Sequence, residues 1–435
     1  MRVGSMQMTI RYQNQLYRTY HEQEKLMEQS DGSKLHRPSD DAVAYSKYLR
    51  YNVSLSENNQ YQTNTKTAVS WMKNSDAALV NIKDCFATIV EKSNQAQDTN
   101  TTTDMKAISQ EMLVLVQEAV SDANAQVGDR YVFSGQKDLV QPFSMSTATY
   151  QRGIAKTLDD KQTEFFNDCD DSNGSISQML TLKGSDGEEY YLNTLTGKVY
   201  SKEFMDDGYK EKLAAGQTHV AAGDEVGTIT MAKGDVAKYF DNKGVINGTG
   251  KAFNPSITVD GKTVNLSFKF IEQRIVTYNG DRKHFSMVKE NGAEQPASDE
   301  VNANGVDIAG TSIFDDPNSG NESSGAACFN DNLTVVAMCA TGDARWMSSD
   351  GKTLANNAFN TINNAESNLG ARQQVYTASQ SMLTTMNEAI TGDITDVAST
   401  DVAKLAVEMM QAQTVYNLSL YVGSRIIPPT LADYL

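Results

Sequence analysis

The chain has 435 residues, with 38 Lys and Arg against 55 Asp and Glu and a formal net charge of −17. This length exceeds one small core and predicts two or three domains. An acidic chain without a basic cluster argues against a nucleic-acid or anionic-membrane partner. No apolar run approaches the roughly 20 residues needed to span a bilayer, and the mixed polarity of residues 1–20 predicts no cleavable secretory signal.

Residues 1–36 read as an amphipathic helix with a wide apolar face of Met6, Ile10, Leu16, Tyr17, Tyr20 and Met27. Such a helix cannot bury its stripe alone. Asp31-Gly32 breaks it, and Arg37-Pro38-Ser39-Asp40-Asp41 restarts a helix, with Ser39 expected as N-cap and the two aspartates opposing the helix dipole. No Pro or Gly occurs between Ser39 and Gly128, so a long helix is permitted. Within it Thr65, Ala68, Met72, Ser75, Leu79, Ile82, Phe86 and Ile89 alternate by three and four, the seam of a coiled coil. Polar Gln95–Asp104 reads as a connector, with Asp104 as a cap. The stripe Met105, Ile108, Met112, Leu115, Ala119 and Ala123 should then double back as an antiparallel partner, ended by Gly128. Tyr131-Val132-Phe133 reads as a short strand.

Between Pro142 and about Arg345, period-2 patterns replace helical ones. Tyr190–Leu192 and Lys198–Tyr200 flank a Thr-Gly turn, and Ser256–Val259 with Val264–Phe270 flank Asp260-Gly261, a strong hairpin signal. A second hairpin is expected from Ile275–Tyr278 through Asn279-Gly280 to His284–Val288. Pro317–Gly325 reads as a loop.

After Gly351 the helical rhythm returns in Ala355, Ala358, Ile362, Ala365, Leu369, Arg372, Tyr376, Ser379, Leu383, Met386 and Ile390. Thr391-Gly392-Asp393 should interrupt it. A last helix carries Val402, Leu405, Met409, Ala412 and Tyr416, widened by Val415, Leu418 and Val422, and Pro428-Pro429 stops it. The predicted fold is mainly α with an inserted β domain: an antiparallel coiled-coil bundle made by both ends, with a β-rich outer domain. The expected division is 1–36 with 395–435, then 37–141 with 346–394, then 142–345. Met72, Leu79, Ile82 and Phe86 should form the coiled-coil core with Ile362, Leu369, Tyr376 and Leu383. Met6, Ile10, Tyr17, Tyr20, Met27, Leu405, Met409, Tyr416, Val422 and Leu435 are the expected assembly contacts, because helices apolar on more than one side are buried from more than one direction.

No constellation for catalysis survives inspection. Thr249-Gly250-Lys251 lacks the P-loop glycine at Val245 and the hydroxyl at Ala252. Asp168–Gly174 hints at a calcium loop, but its Gly falls one position late and Met179 stands where the bidentate Glu belongs. Asp40-Asp41, Asp206-Asp207 and Asp315-Asp316 read as caps and turns. Cys85, Cys169, Cys328 and Cys339 are scattered without a Cys-x-x-Cys, and Cys85 is expected as a small buried side chain. Neither a cofactor nor a metal is proposed. Trp71 and the tyrosines Tyr12, Tyr17, Tyr20, Tyr45, Tyr48 and Tyr51 are candidates for core or contact anchors.

Four segments at the ends carry a resemblance to the flagellin superfamily: Arg37–Ala44, the helix Asn64–Ile82, Leu369-Gly370-Ala371-Arg372 and the terminal Leu431–Leu435. Within it, Met1–Ser5, Gly128–Gly135 with Gln141-Pro142-Phe143, and Asn304–Ile308 with Ile313-Phe314 resemble the family of hook-associated protein 3, the hook–filament junction proteins. His219 and His284 lack the His-Glu-x-x-His helix of flagellins with a zinc-protease site. The resemblance implies a structural protein of the bacterial flagellum, exported without a cleaved signal. It implies a ring of identical subunits between hook-associated protein 1 and flagellin, and an export chaperone on the C-terminal helix before export. A flagellin filament subunit and a secreted adhesin-like binding protein are the alternatives.

Overall fold

A computed structural model describes residues 2–98, 101–156, 158–166, 179–231, 235–286, 300–315 and 324–426, with the side chains at 2–6, 98, 160 and 425–426 outside the description. Six long helices organise the chain: α1 (Arg2–Glu28), α2 (Ala42–Asp98), α3 (Thr102–Asp122), α4 (Ala327–Thr341), α5 (Lys352–Ala398) and α6 (Val402–Ile426). Two compact units result, one of residues 1–66 with 377–435 and one of residues 67–376. The chain is mainly α with an inserted β region, and in each unit helices from its two ends pack together.

In the first unit, α1 packs on α6. Their antiparallel sense shows in the Tyr12 hydroxyl donating to the Ser419 carbonyl at 2.9 Å and the Tyr20 ring lying 6.4 Å from that of Tyr416. The N-terminal part of α2 meets the C-terminal part of α5, where Gln62 donates to the Leu383 carbonyl and the Asn387 amide to Asn59. Two helix boundaries differ from the sequence expectation. Asp41, not Ser39, caps α2, its Oδ1 accepting from Val43 and Ala44 at 3.0 and 2.9 Å. Asp40 instead holds the preceding turn through the amides of His36 and Arg37. Second, α5 runs through Gly392 without a break. One glycine costs only about 1 kcal/mol in a helix interior, and α5 continues to Ala398, with the hydroxyls of Thr391 and Thr395 bonded back onto the preceding turns. The interruption falls at Ser399-Thr400, whose backbone pairs with Gly32–Lys34, and Asp401 caps α6 through Ala403 and Lys404.

In the second unit the predicted seam is the core. Met72, Leu79, Ile82, Phe86 and Ile89 of α2 are fully buried, with Ile362 and Leu369 of α5, in one cluster that also holds Met112 and Val116 of α3. The helical hairpin is antiparallel, Lys92 pairing with Glu111 at 2.5 Å across it. Gly128 does not end α3. That helix stops at Asp122, and Gly128 turns the small hairpin of β1 (Gln126–Val127) and β2 (Arg130–Tyr131). Asp104 lies within the first turn of α3, its carboxylate bonded to the hydroxyl of the N-cap residue Thr101.

The β region holds β3 (Phe143–Met145), β4 (Tyr150–Gly153), β5 (Ala155–Lys156), β6 (Met179–Gly184), β7 (Glu189–Asn193), β8 (Lys198–Ser201), β9 (Gly227–Thr228), β10 (Ser256–Val259), β11 (Lys262–Phe268), β12 (Phe270–Gln273) and β13 (Val276–Tyr278). The antiparallel order β10-β11-β6-β7-β8-β9, with β5 also on β6, makes a sheet whose ends approach where Ile257 meets Gly227. The β10–β11 hairpin forms as its sequence demands, with Asp260 at φ 50° and Gly261 at φ 75°, the two positive angles of a type I′ turn. The second expected hairpin does not form. β13 pairs with β3, and Ser286 bridges Glu300 instead, while 287–288 lie outside the described residues. The Asn279-Gly280 signal competes with a partner already in place: Asn279 donates its amide to the Pro142 carbonyl at 2.7 Å.

The region 142–345 is not all β, for α4 lies inside it. Eleven of its residues are buried, including the polar Asn330, Asn332 and Thr334. Those polar side chains hid it from a period-based reading, and each of two has a specific task. The Asn330 amide exchanges bonds with the N–H and C=O of Val276 at 2.8 and 2.9 Å, standing in for a strand neighbour. Thr334 receives the buried Arg152 guanidinium at 2.7 Å, which also reaches Asp331 and the Asn330 carbonyl. Phe329 packs on Phe86 and Phe143, ring centres 5.6 and 5.2 Å away. Phe86→Ala should therefore lower unfolding free energy by about 3–5 kcal/mol in urea denaturation, whereas Leu139→Ala, 70% exposed, should change it by under about 0.5 kcal/mol.

Candidate assembly surface

The first unit inverts the usual arrangement of a helical pair. Its buried residues include the polar Thr19, Asn58 and Thr65 alongside Leu35, Ile390, Ala398 and Leu405. Among the described exposed large apolar side chains, all but Val114, Leu139, Val140, Tyr150, Phe270 and Val375 belong to this unit, although it is much the shorter.

The α1–α6 seam shows how this arises. The less exposed positions of α1 are Thr9, Tyr12, Leu16, Thr19, Gln23 and Leu26, a three-four alternation with few large apolar members. The stripe singled out in the sequence lies on other faces: Ile10, Tyr17, Tyr20 and Met27 are 50%, 66%, 51% and 55% exposed. On α6, Leu405 is buried and Met409 and Tyr416 are half-buried along the seam, while Val422 is exposed. The side chain of Met6 and the whole of Leu435 lie outside the described residues. Around the seam of α6, Val402, Val407, Met410, Val415, Leu418 and Tyr421 all face solvent. Of the coiled-coil positions, Tyr376 is buried and Leu383 half-buried.

Gly423 was not singled out from the sequence, yet it decides how closely α6 can approach α1. A Cβ there would stand 1.9 Å from the Tyr12 hydroxyl. The available signal was a lone glycine inside an apolar helical run. The connector between α1 and α2 is held by charge. Arg37 pairs with Glu28 at 2.5 Å and Lys25 with Asp40 at 3.3 Å. The Arg37 amide, with that of His36 and Lys25, holds the Asp40 carboxyl below the usual carboxylate range.

Elsewhere, a polar cavity of about 400 Å³ is lined by Lys156, Asp206, Asp350 and Tyr191 among others. The Lys156 ammonium lies 3.0 Å from Asp206 and 3.2 Å from Asp350. Burial opposes its charge, but Asp350 and Asp206 outweigh that and raise its pKa. An ammonium bound in this way ties β5 to the turn before α5 and is not a free base. Cys85, Cys328 and Cys339 are buried thiols whose pKa burial pushes up. Cys169 and the calcium-like stretch 168–174 lie outside the described residues.

Residues 3–138 match the family of the bacterial flagellin N-terminal helical region. The match covers about the N-terminal third of the chain. The match spans α1, α2, α3 and the β1–β2 hairpin, so it includes the whole N-terminal contribution to the exposed apolar surface. No curated protein matches the chain. Among solved structures, hook-associated protein 3 of Legionella pneumophila is similar at 12% identity and a TM-score of 0.39, covering 80% of this chain and 98% of its own. FlgL of Bacillus cereus follows at 11% identity and a TM-score of 0.37, covering 79% and 98%. FliC of Burkholderia pseudomallei gives 13% identity and a TM-score of 0.23, covering 71% and 99%. Each of these TM-scores is too low to establish a shared fold. Among the described residues, no helix is long and apolar enough to cross a membrane.

Covering one Leu- or Met-sized side chain contributes about 1.5–3 kcal/mol, so several per copy supply a strong drive to associate. Replacing Tyr17 and Leu418 together by Ser should leave the urea midpoint of the free chain nearly unchanged, within about 0.5 kcal/mol per site. The same variant should reach a lower weight-average mass at high concentration in analytical ultracentrifugation than the unaltered chain.

Proposed function

We propose that the chain is a structural subunit of a bacterial flagellum, exported to the cell exterior, where its terminal helices pack against those of neighbouring copies. The observation that carries this is the surface of the first unit, apolar on faces that α1, α2, α5 and α6 cannot cover for one another, in a chain whose N-terminal third matches the flagellin N-terminal family. Helices short of intrachain contacts order when partners cover them, so folding of these ends is coupled to assembly.

Within the flagellum, the reading we favour is a junction ring between hook-associated protein 1 and flagellin. The segments Gly128–Gly135 and Asn304–Ile308 support it. They resemble the outgoing and returning segments of junction proteins, and Ser134 bridges Asn304 in this chain. An export chaperone on α6 fits the same surface, since Met410, Leu418 and Tyr421 need cover before assembly. A flagellin filament subunit is the second reading, favoured by the family match itself.

Electron microscopy with hook fragments separates the two. The junction reading expects added flagellin to extend from hook fragments only when this chain is present, and expects the chain alone to stay short with filament seeds in precipitating salt. Long filaments grown from the chain alone would make it a flagellin.

A further inference from the structure

The motif Leu369-Gly370-Ala371-Arg372 has a place in the packing that its sequence does not disclose. Arg372 of α5 reaches out of the coiled coil to Glu300 at 3.2 Å and to the Asn302 carbonyl at 3.4 Å. Glu300 also faces Nδ1 of His284 at 3.2 Å, and Nε2 of the same ring faces Asp307 at 2.6 Å. Asp307 in turn closes the capping box of the helical turn Gly305–Ala309, accepting from the Asn304 amide at 2.9 Å. The side chains of His284, Glu300 and Arg372 are largely shielded from solvent, and that of Asp307 is 33% exposed at the edge.

We propose that His284, Glu300, Asp307 and Arg372 form a charge-gated latch, which fastens the segment returning from the β region onto α5 while the imidazole is protonated and loosens it when the imidazole is neutral. The argument is one of donors and charge. An imidazolium donates from both nitrogens, so each carboxylate is met, and two cations balance two anions. A neutral imidazole keeps one N–H: with the proton on Nε2, Glu300 meets a lone pair, and with the proton on Nδ1, Nε2 accepts from the Asn304 side-chain amide 3.0 Å away while Asp307 loses its donor. Arg372 is then left alone with two negative charges.

Asp307, Glu300 and Arg372 are the charged groups that face the ring. The hydrogen bond to Asp307 raises the His284 pKa above its ordinary value; burial and Arg372 oppose this, and Glu300 adds to it. A raised folded-state value fixes the sign. The contribution is fully present below the ordinary histidine pKa of about 6.5 and is lost as pH rises through the raised value. The structure next to the latch offers its own reporters. The Val301 amide donates to the Phe285 carbonyl at 2.7 Å, and the Phe285 amide to Asn302 Oδ1 at 2.6 Å.

The test is amide hydrogen exchange of the full chain by NMR, read as protection factors for Phe285 and Val301 at pH 6 and pH 9. Protection should fall about tenfold or more at the higher pH, the worth of one hydrogen bond to a charged group. His284→Asn should show no such fall and should sit at the lower level throughout. Equal protection at both pH values in the unaltered chain, or an unchanged fall in the variant, would overturn the latch. Direct titration of the His284 ring provides a second measurement that needs no variant: a midpoint below the ordinary histidine range would overturn it as well.

Discussion

The constraint on which the rest depends is that the helices at the two ends cannot bury their apolar side chains within one copy. The α1–α6 seam is filled by Thr9, Tyr12, Thr19, Gln23 and Ser419 as much as by Leu16, Leu26 and Leu405, and Gly423 lets the helices come close. Asn58, Gln62 and Thr65 occupy the matching place between α2 and α5. A polar seam gives register and direction but little net stability, since each neutral hydrogen bond adds only about 0.5–1.5 kcal/mol. The large apolar side chains stay outside it, available to another chain.

The second unit is built the other way. Phe86, Phe133, Phe143 and Phe329 are fully buried where α2, α4 and the outgoing strands meet, and the charges inside it are paired. Arg152 fastens β4 to α4, and Lys156 fastens β5 to the turn before α5. Losing one partner of such a buried pair costs more than the pair contributes, so these contacts specify which strand meets which helix. One unit with a filled apolar core and one with its large apolar side chains outside suit the proposed role of a subunit that assembles from free copies.

Much of this was legible in the sequence where periodicity and local chemistry agree. The 65–89 stripe, the antiparallel hairpin after it and the Asp260-Gly261 turn each follow from spacing and residue type. Where two partners compete, local signals failed: Asn279-Gly280 reads as a hairpin, but β3 already holds β13. Polar residues with long-range tasks hid α4, because Asn330 and Thr334 look like surface positions until Val276 and Arg152 are beside them. The stripe Ile10–Tyr17–Tyr20–Met27 was visible, but its direction was not. Periodicity shows that a helix has an apolar face, and only the packed partner shows which face is spent inside the chain. Gly392 is the converse case, a residue that usually ends helices placed where nothing forces an end.

The most direct measurement of the central claim is hydrogen exchange by mass spectrometry on the free chain and on the chain assembled at hook fragments. Peptides from residues 2–66 and 377–426 should exchange fast in the free chain and slow strongly on assembly, while the buried parts of α2 and α4 in the second unit stay protected in both. Slow exchange of the terminal helices in the free chain, or no change on assembly, would contradict the account.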